Sequence, residues 1–214
     1  MLKRIITKLE SMRAKTSNQN YINWLRKHGV RIGDNCAFFG RHELHIDLTR
    51  PSLIELGNDV IITRGVLLLT HGYDWAVLRE KYGEVLGSGR KITIKDNVFI
   101  GTFAKIMPGV TIGSNTIVAA GSIVTKSIEG DGVYAGVPAQ KVSSLDEYLA
   151  KRKNAQLEEA TEYAISIIEV YNRKPVPEDF HEFFQLFLER DESKFGGIAV
   201  KQQTGSAYRQ FMNS

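Results

Sequence analysis

The sequence predicts a mainly β fold: a solenoid of stacked parallel coils with N-terminal helices before it, one long excursion loop within it and a helical extension after it. Three observations predict this. Aliphatic residues recur at every sixth position through Ile94, Ile100, Ile106, Ile112, Val118 and Val124. That period is neither the 3.6 of a helix nor the 2 of a lone strand, but six allows a short strand plus a corner. The same spacing reappears upstream in Leu56, Ile62 and Leu68, and 3.6-residue apolar patterns flank the repeat on both sides.

The first segment, residues 1–29, reads as helical. Leu2, Ile5, Ile6, Leu9 and Met12 share one face at helical spacing, and residues 1–31 carry eight Lys or Arg against Glu10, or +7 of a chain whose net charge is +4. A basic amphipathic helix of this kind suits either packing on protein or peripheral association with an anionic membrane surface. No base-stacking or groove-reading pattern accompanies the charge, so nucleic acid is not an expected partner. Tyr21 to His28 forms a second short helix stopped by Gly29.

The coil occupies residues 30–142. After each inward aliphatic residue the next is often small (Gly101, Gly113, Ala119). The third is often a turn residue (Asn97, Gly109, Asn115, Gly121), of a type that tolerates positive φ. A small or β-branched residue follows the turn, Ala104 and Ser122 among them, and Cys36 fills the same place as a packing residue. One coil cannot bury its apolar face, but stacked coils share a continuous core. Upstream, Ile32, Phe38 and Leu44 are expected to point inward, with Arg50 and Pro51 interrupting the pattern. From Leu68 to Ile94 is 26 residues, six plus an excursion of 20, so a loop over residues 71–91 leaves the coil. It carries Tyr73, Trp75 and Tyr82, a helical turn within Asp74 to Tyr82, and Gly83, Gly87 and Gly89 that predict a flexible end. Long loops on a rigid solenoid tend to carry function.

Residues 143–190 read as a helical extension. Ser144 and Glu147 have the spacing of a capping box, and an apolar pattern through Ala160, Ala164 and Ile167 continues to Asn172. A second helix is expected over residues 178–189, and residues 191–214 form a polar tail. The single Cys36 excludes an intrachain disulfide, and no apolar run reaches membrane-spanning length, so a cytoplasmic protein is expected.

Four segments carry a resemblance to a known family: Ile-Lys-Asp-Asn-Val-Phe-Ile-Gly (94–101), Met-Pro-Gly-Val-Thr-Ile-Gly (107–113), Ala-Ala-Gly-Ser-Ile-Val-Thr-Lys (119–126) and Ala-Gly-Val-Pro-Ala (135–139). Together they resemble the hexapeptide-repeat O-acetyltransferases, the group of the galactoside, maltose and streptogramin enzymes. The resemblance covers roughly residues 30 to 142. It implies a left-handed parallel β-helix, a homotrimer, acetyl-CoA as acyl donor with no metal required, and a sugar or polysaccharide-precursor hydroxyl (capsule or lipopolysaccharide type) as acceptor.

His71, at the corner where the excursion departs, matches the family's catalytic base, although Gly72 stands where the family often has Pro. Neutral imidazole suits proton abstraction near neutral pH. No Ser or Cys with a positioned base offers an acyl-enzyme route, so direct transfer within a ternary complex is expected. For CoA the resemblance implies contacts from Phe99, Thr102, Ala120, Thr125, Lys126 and Lys141. Gln140 and Lys141 stand where an Arg is common, which alters the phosphate contact. Asp47, Asp74 and Trp75 are candidate substrate residues, and Asp47 or Asp74 is also a candidate to orient His71. Three alternatives stay open: N-acylation of an amino sugar, a carbonic anhydrase-like zinc protein using His42, His45 and His71, and a non-enzymatic trimeric scaffold.

Overall fold

The structure, a computed structural model, describes residues 10–180 and residue 183. The apolar face predicted over Leu2 to Leu9 and most of the helix predicted over 178–189 lie outside the described residues, as does the tail. Met12, at the end of that first pattern, is exposed.

By its internal contacts the chain divides into two compact units, Met1–Leu145 and Asp146–Ser214. In the first, residues 10–14 are helical and are followed by helix α1 (Asn18–Lys27), capped by Ser17, whose side chain accepts from Asn20 N, and closed by Gly29 at φ 103°. Short strands follow: β1 (Arg31–Ile32), β2 (Ala37–Phe38), β3 (His45–Ile46), β4 (Ile54–Leu56), β5 (Val60–Ile62), β6 (Leu67–Leu68) and β7 (His71–Gly72). Helix α2 (Trp75–Tyr82) and β8 (Ser88–Gly89) complete the excursion. The coil resumes with β9 (Ile92–Ile94), β10 (Val98–Ile100), β11 (Lys105–Ile106), β12 (Thr111–Ile112), β13 (Thr116–Val118), β14 (Ile123–Val124) and β15 (Gly132–Gly136), and β16 (Ala139–Ser143) ends it.

Pairing shows how the chain winds. β1, β4, β9 and β12 form a first face, β2, β5, β10, β13 and β15 a second, and β3, β6, β11 and β14 a third, all parallel within their face. Successive strands from β1 to β14 visit the three faces in turn, so the chain describes a three-sided coil, interrupted where the excursion stands between the third face and the first; between β14 and β15 the first face is met by Ile128 alone, bridged parallel to Ile112. β16 turns back antiparallel on β15 and ends the second face.

The six-residue spacing works as expected. Ile94, Ile100, Ile106, Ile112, Val118 and Val124 are all at most 1% exposed, stacked on their partners in neighbouring coils. Each fully buried aliphatic side chain contributes about 1.5–3 kcal/mol, which a single coil could not obtain alone. The corner residues Asn35, Asp59, Asn97, Asn115 and Asp131 all take positive φ between 45° and 55°. Asn97 Nδ2 donates to Asn115 Oδ1 at 2.8 Å and Asn115 Nδ2 to Asp131 Oδ1 at 2.9 Å, tying successive corners together. Gly113 is required by proximity: a Cβ there would meet the Glu129 carbonyl oxygen at 1.7 Å. Changing Ile106 to Asp buries an unpaired carboxylate between coils, and stability is expected to fall by roughly several kcal/mol. A thermal melt reads this, and an unchanged midpoint would contradict the inward placement of residue 106.

One part of the register differs from expectation. Leu44 is buried, but it precedes β3, and Ile46 is the residue aligned with Leu68. Eight residues rather than six separate Phe38 from Ile46, because the corner at 39–43 is longer. Arg41 fills it, donating to the backbone carbonyls of Phe38 and Lys15 at 3.0 Å each.

The second unit contains most of α3 (Leu145–Tyr171), in which Ala160, Ala164 and Ile167 are buried while Leu149, Leu157, Ile168 and Tyr171 are exposed. Past the helix Phe180, 3% exposed, meets Tyr163 edge-on with ring centroids 5.7 Å apart. No helix among the described residues is long and apolar enough to cross a membrane.

Candidate active site

Where the third face turns toward the first, the corners after β3 and β6 stack: Ile46 pairs with Leu68, so Asp47, Leu48 and Thr49 lie against Leu69, Thr70 and His71. This register assembles a buried polar cluster. Asp47 Oδ1 accepts from Thr49 N (3.0 Å) and Thr49 Oγ1 (2.6 Å). Its Oδ2 accepts from Thr70 N at 3.1 Å and from the Thr70 hydroxyl, and lies 2.5 Å from His71 Nδ1. Thr49 Oγ1 is also 3.3 Å from that nitrogen.

The Asp47 and His71 side chains are only 6% and 9% exposed. Burial is the largest influence on the Asp47 carboxyl and would raise its pKa. The hydrogen bonds from the Thr49 and Thr70 side chains, the Thr49 amide and His71 together outweigh it and hold the group well below the usual carboxylate range. Asp47 is therefore an ionised acceptor, and the ring nitrogen facing it must carry the proton. His71 Nε2 is left with its lone pair, and His71 lines a cleft of about 510 Å³.

The excursion forms the other wall. β7 and β8 pair antiparallel, His71 with Gly89 and Gly72 with Ser88, so the segment returns beside the residue from which it departs. The glycine-rich end is thus tied down rather than loose: Arg50 Nη1 donates to the Ser88 carbonyl at 2.9 Å, and Arg90 N donates to the Thr70 carbonyl at 2.9 Å. Tyr73 stands edge-on to His71 with ring centroids 4.9 Å apart. Asp74, Ser88, Arg90, Met107 and Pro108 line the cleft with His71.

The sequence-predicted residues fall in different places. His71 and Asp74 share the cleft. Asp47 does not open onto it. Both its oxygens are occupied by Thr49, Thr70 and His71, which leaves no acceptor for a sugar hydroxyl, so of the two roles expected of it from sequence the geometry fits the orientation of His71 and not substrate contact. Trp75, the first residue of α2, also lies outside the cleft lining; it is half-buried beside Tyr73 and under the Arg79 guanidinium. Thr125 and Lys126 are exposed on the same corner as His71, two coils further along, since Val124 pairs with Ile106 and Ile106 with Leu68. Thr102 and Ala120 occupy the other end of the third face, at its corner with the second, where Gly121 N donates to the Thr102 carbonyl at 2.8 Å. Phe99 projects from the second face and is 39% exposed, and Lys141 is exposed on β16. His42 and His45 are exposed, and no three His, Cys, Asp or Glu side chains among the described residues gather as a metal site.

Sequence reasoning missed Thr49, Ser88 and Arg90. The signal for Thr49 was the inter-coil register, which the two extra residues before β3 had displaced.

Known proteins place this coil. The family model for bacterial transferase hexapeptide repeats (six repeats) matches residues 91–126. Protein CapG of Staphylococcus aureus is 38% identical over 131 residues, covering 59% of this chain and 73% of that protein. Galactoside O-acetyltransferase of Escherichia coli strain K12 is 39% identical over 120 residues, 55% of each, so the match spans about half of that enzyme. Among solved structures, a hexapeptide-repeat acetyltransferase of Vibrio cholerae aligns over 66% of this chain and 90% of its own with a TM-score of 0.51; at 21% identity the likeness is one of fold. With identity of this order across nearly three quarters of a relative, and the repeat matched where the coil is most regular, the chain belongs to the hexapeptide-repeat transferase family.

Proposed function

We propose that the protein is an acetyl-CoA-dependent O-acetyltransferase that acetylates a hydroxyl of a sugar or polysaccharide precursor by direct transfer. The observation that carries this reading is the buried Asp47–His71 pair, of which His71 lines a cleft at the root of the excursion. Asp47 fixes the ring so that Nε2 takes the proton of the attacking hydroxyl, while the imidazolium that forms is stabilised by the ionised carboxylate 2.5 Å away. The hydroxyl oxygen then attacks the thioester carbonyl and the thiolate of CoA leaves. The acetyltransferase named among the relatives supports the acyl group, and its galactoside acceptor supports a sugar.

In this reading the coil is left-handed and the protein a homotrimer, as the family resemblance implies. Exposed aromatic side chains on and beside the second face, Phe39, Phe99 and Phe103, suit burial against another subunit. A pantetheine arm that touches Thr102 and Ala120 as well as Thr125 and Lys126 has to meet two corners of the coil, which a neighbouring copy brings together. Thr125, Lys126 and Phe99 then bind the donor in ground and transition states alike, and Lys141 lies on the terminal hairpin toward the nucleotide end. Alanine at Lys126 is expected to raise the KM for acetyl-CoA several-fold, on the order of a lost charge-assisted contact, with kcat little changed. Thiol release from acetyl-CoA in the presence of a glycoside panel tests the function. Acceptor-dependent release by wild-type protein supports it, and release that no acceptor stimulates counts against it.

A further inference from the structure

Besides His71 the cleft is lined by two charged side chains, Asp74 and Arg90, which form no ion pair with each other. Among the described residues no carboxylate lies within ion-pairing distance of the Arg90 guanidinium. Arg50, the other arginine at this corner, is spent on the Ser88 carbonyl. Arg90 is held close to the reacting centre by its backbone, since its N–H bonds the carbonyl of Thr70, the residue before His71. Its stem runs over Gly109, whose φ is +86° and at which a Cβ would come within 2.8 Å of Arg90 Cδ. A side chain at position 109 would displace the arginine, so the glycine leaves its stem a seat.

We infer that Arg90 reads an anionic acceptor: the substrate is a sugar bearing a carboxylate, such as a uronic acid, whose charge is bound by the guanidinium while its hydroxyls face Asp74 and His71. This rests on the acetyl-transfer reading and narrows it. A guanidinium matches a carboxylate with paired N–H donors, whereas a neutral sugar would leave an exposed, unpaired cation in the cleft without a partner. The cofactor's phosphates are a poor alternative. They lie at the far end of the pantetheine arm from the thioester, and the thioester has to reach the hydroxyl that His71 deprotonates. Asp74 in the same cleft argues for a hydroxyl-rich acid over a simple carboxylate, because it accepts from hydroxyls and repels a second negative charge.

The experiment compares p-nitrophenyl galactopyranosiduronic acid with p-nitrophenyl galactoside, which differ in having a carboxylate in place of a hydroxymethyl group. The kcat/KM of each is measured by thiol release with wild type, Arg90→Gln and Arg90→Lys. The uronide is expected to be the better acceptor for wild type, Arg90→Gln to lose about 10- to 100-fold on the uronide, the value of a hydrogen bond to a charged group, with the galactoside within a few-fold, and Arg90→Lys to recover part of the loss. A uronide-to-galactoside ratio that Arg90→Gln leaves unchanged overturns the inference, as does a wild-type preference for the neutral glycoside. So does a smaller assembly by sedimentation for Arg90→Gln, which would make the residue a subunit contact. Failure of the underlying reading is separate: His71→Ala would then keep transferring acetyl to either acceptor at the wild-type rate.

Discussion

Alanine at position 71 is expected to lower acetyl transfer by about 10²- to 10⁴-fold, the usual worth of a positioned acid–base group, while acetyl-CoA still binds. The loss falls on kcat because the imidazole acts on the proton in flight and touches the donor little in the ground state. The ring's removal also frees the Asp47 carboxylate, but the four donors from Thr49 and Thr70 remain on it, so the corner is expected to stay folded. Steady-state kinetics alongside equilibrium binding of acetyl-CoA checks both halves. Near-normal turnover on a true acceptor would remove the base from the mechanism.

Asp47→Asn is expected to cost nearly as much, again about 10²- to 10⁴-fold in kcat, though the oxygens of Asp47 are engaged by Thr49, Thr70 and His71 and not by the cleft. An amide presents one oxygen and one NH2 where the carboxylate presents two acceptors, and Thr49 and Thr70 supply donors on both sides. Whenever the NH2 faces His71, Nδ1 has to accept, the proton moves to Nε2, and the lone pair aimed at the cleft is gone. A structural role alone would give a different readout, so the variant's acetyl-CoA binding should match wild type while its turnover does not. Stability adds a second signature. The folded carboxyl titrates below its unfolded value of about 3.9, so the unfolded state binds more protons. Asp47 therefore stabilises the fold fully above about pH 4, and that contribution is lost as pH falls from there toward its folded value. Below about pH 4, denaturation midpoints should drop more steeply with acid in wild type than in Asp47→Asn.

The coil was legible from sequence because its signal is one-dimensional: Ile94 to Val124 repeat without insertion, and each repeat reports its own inward residue. The site was legible only in part. His71 is marked by standing at the mouth of the excursion, but its partner depends on how two coils stack, and the long corner before β3 shifts that stacking by two residues. Taking Leu44 as the inward residue puts Asp47 directly opposite His71 and leaves Thr49 with no role. With Ile46 in the wall, Thr49 lies against His71 and Asp47 reaches across from beside Leu69. The clasp of the excursion was hidden for a related reason: Gly87 and Gly89 signal freedom locally, and the bonds that remove it come from Arg50 and Thr70 in neighbouring corners. In α3 the 3.6-residue pattern gave the helix but not its covering, since only Ala160, Ala164 and Ile167 of its apolar residues are buried.

In the proposed mechanism Asp47 holds His71 with its proton on Nδ1 and its unprotonated Nε2 toward the cleft. Nitrogen-15 NMR of protein labelled at its five histidines, with the His71 signals assigned by their absence from His71→Ala, measures this directly. The neutral ring is expected to show a protonated, pyrrole-like Nδ1 and an unprotonated, pyridine-like Nε2, with the pattern lost or reversed in Asp47→Asn. A wild-type ring carrying its proton on Nε2 would contradict it.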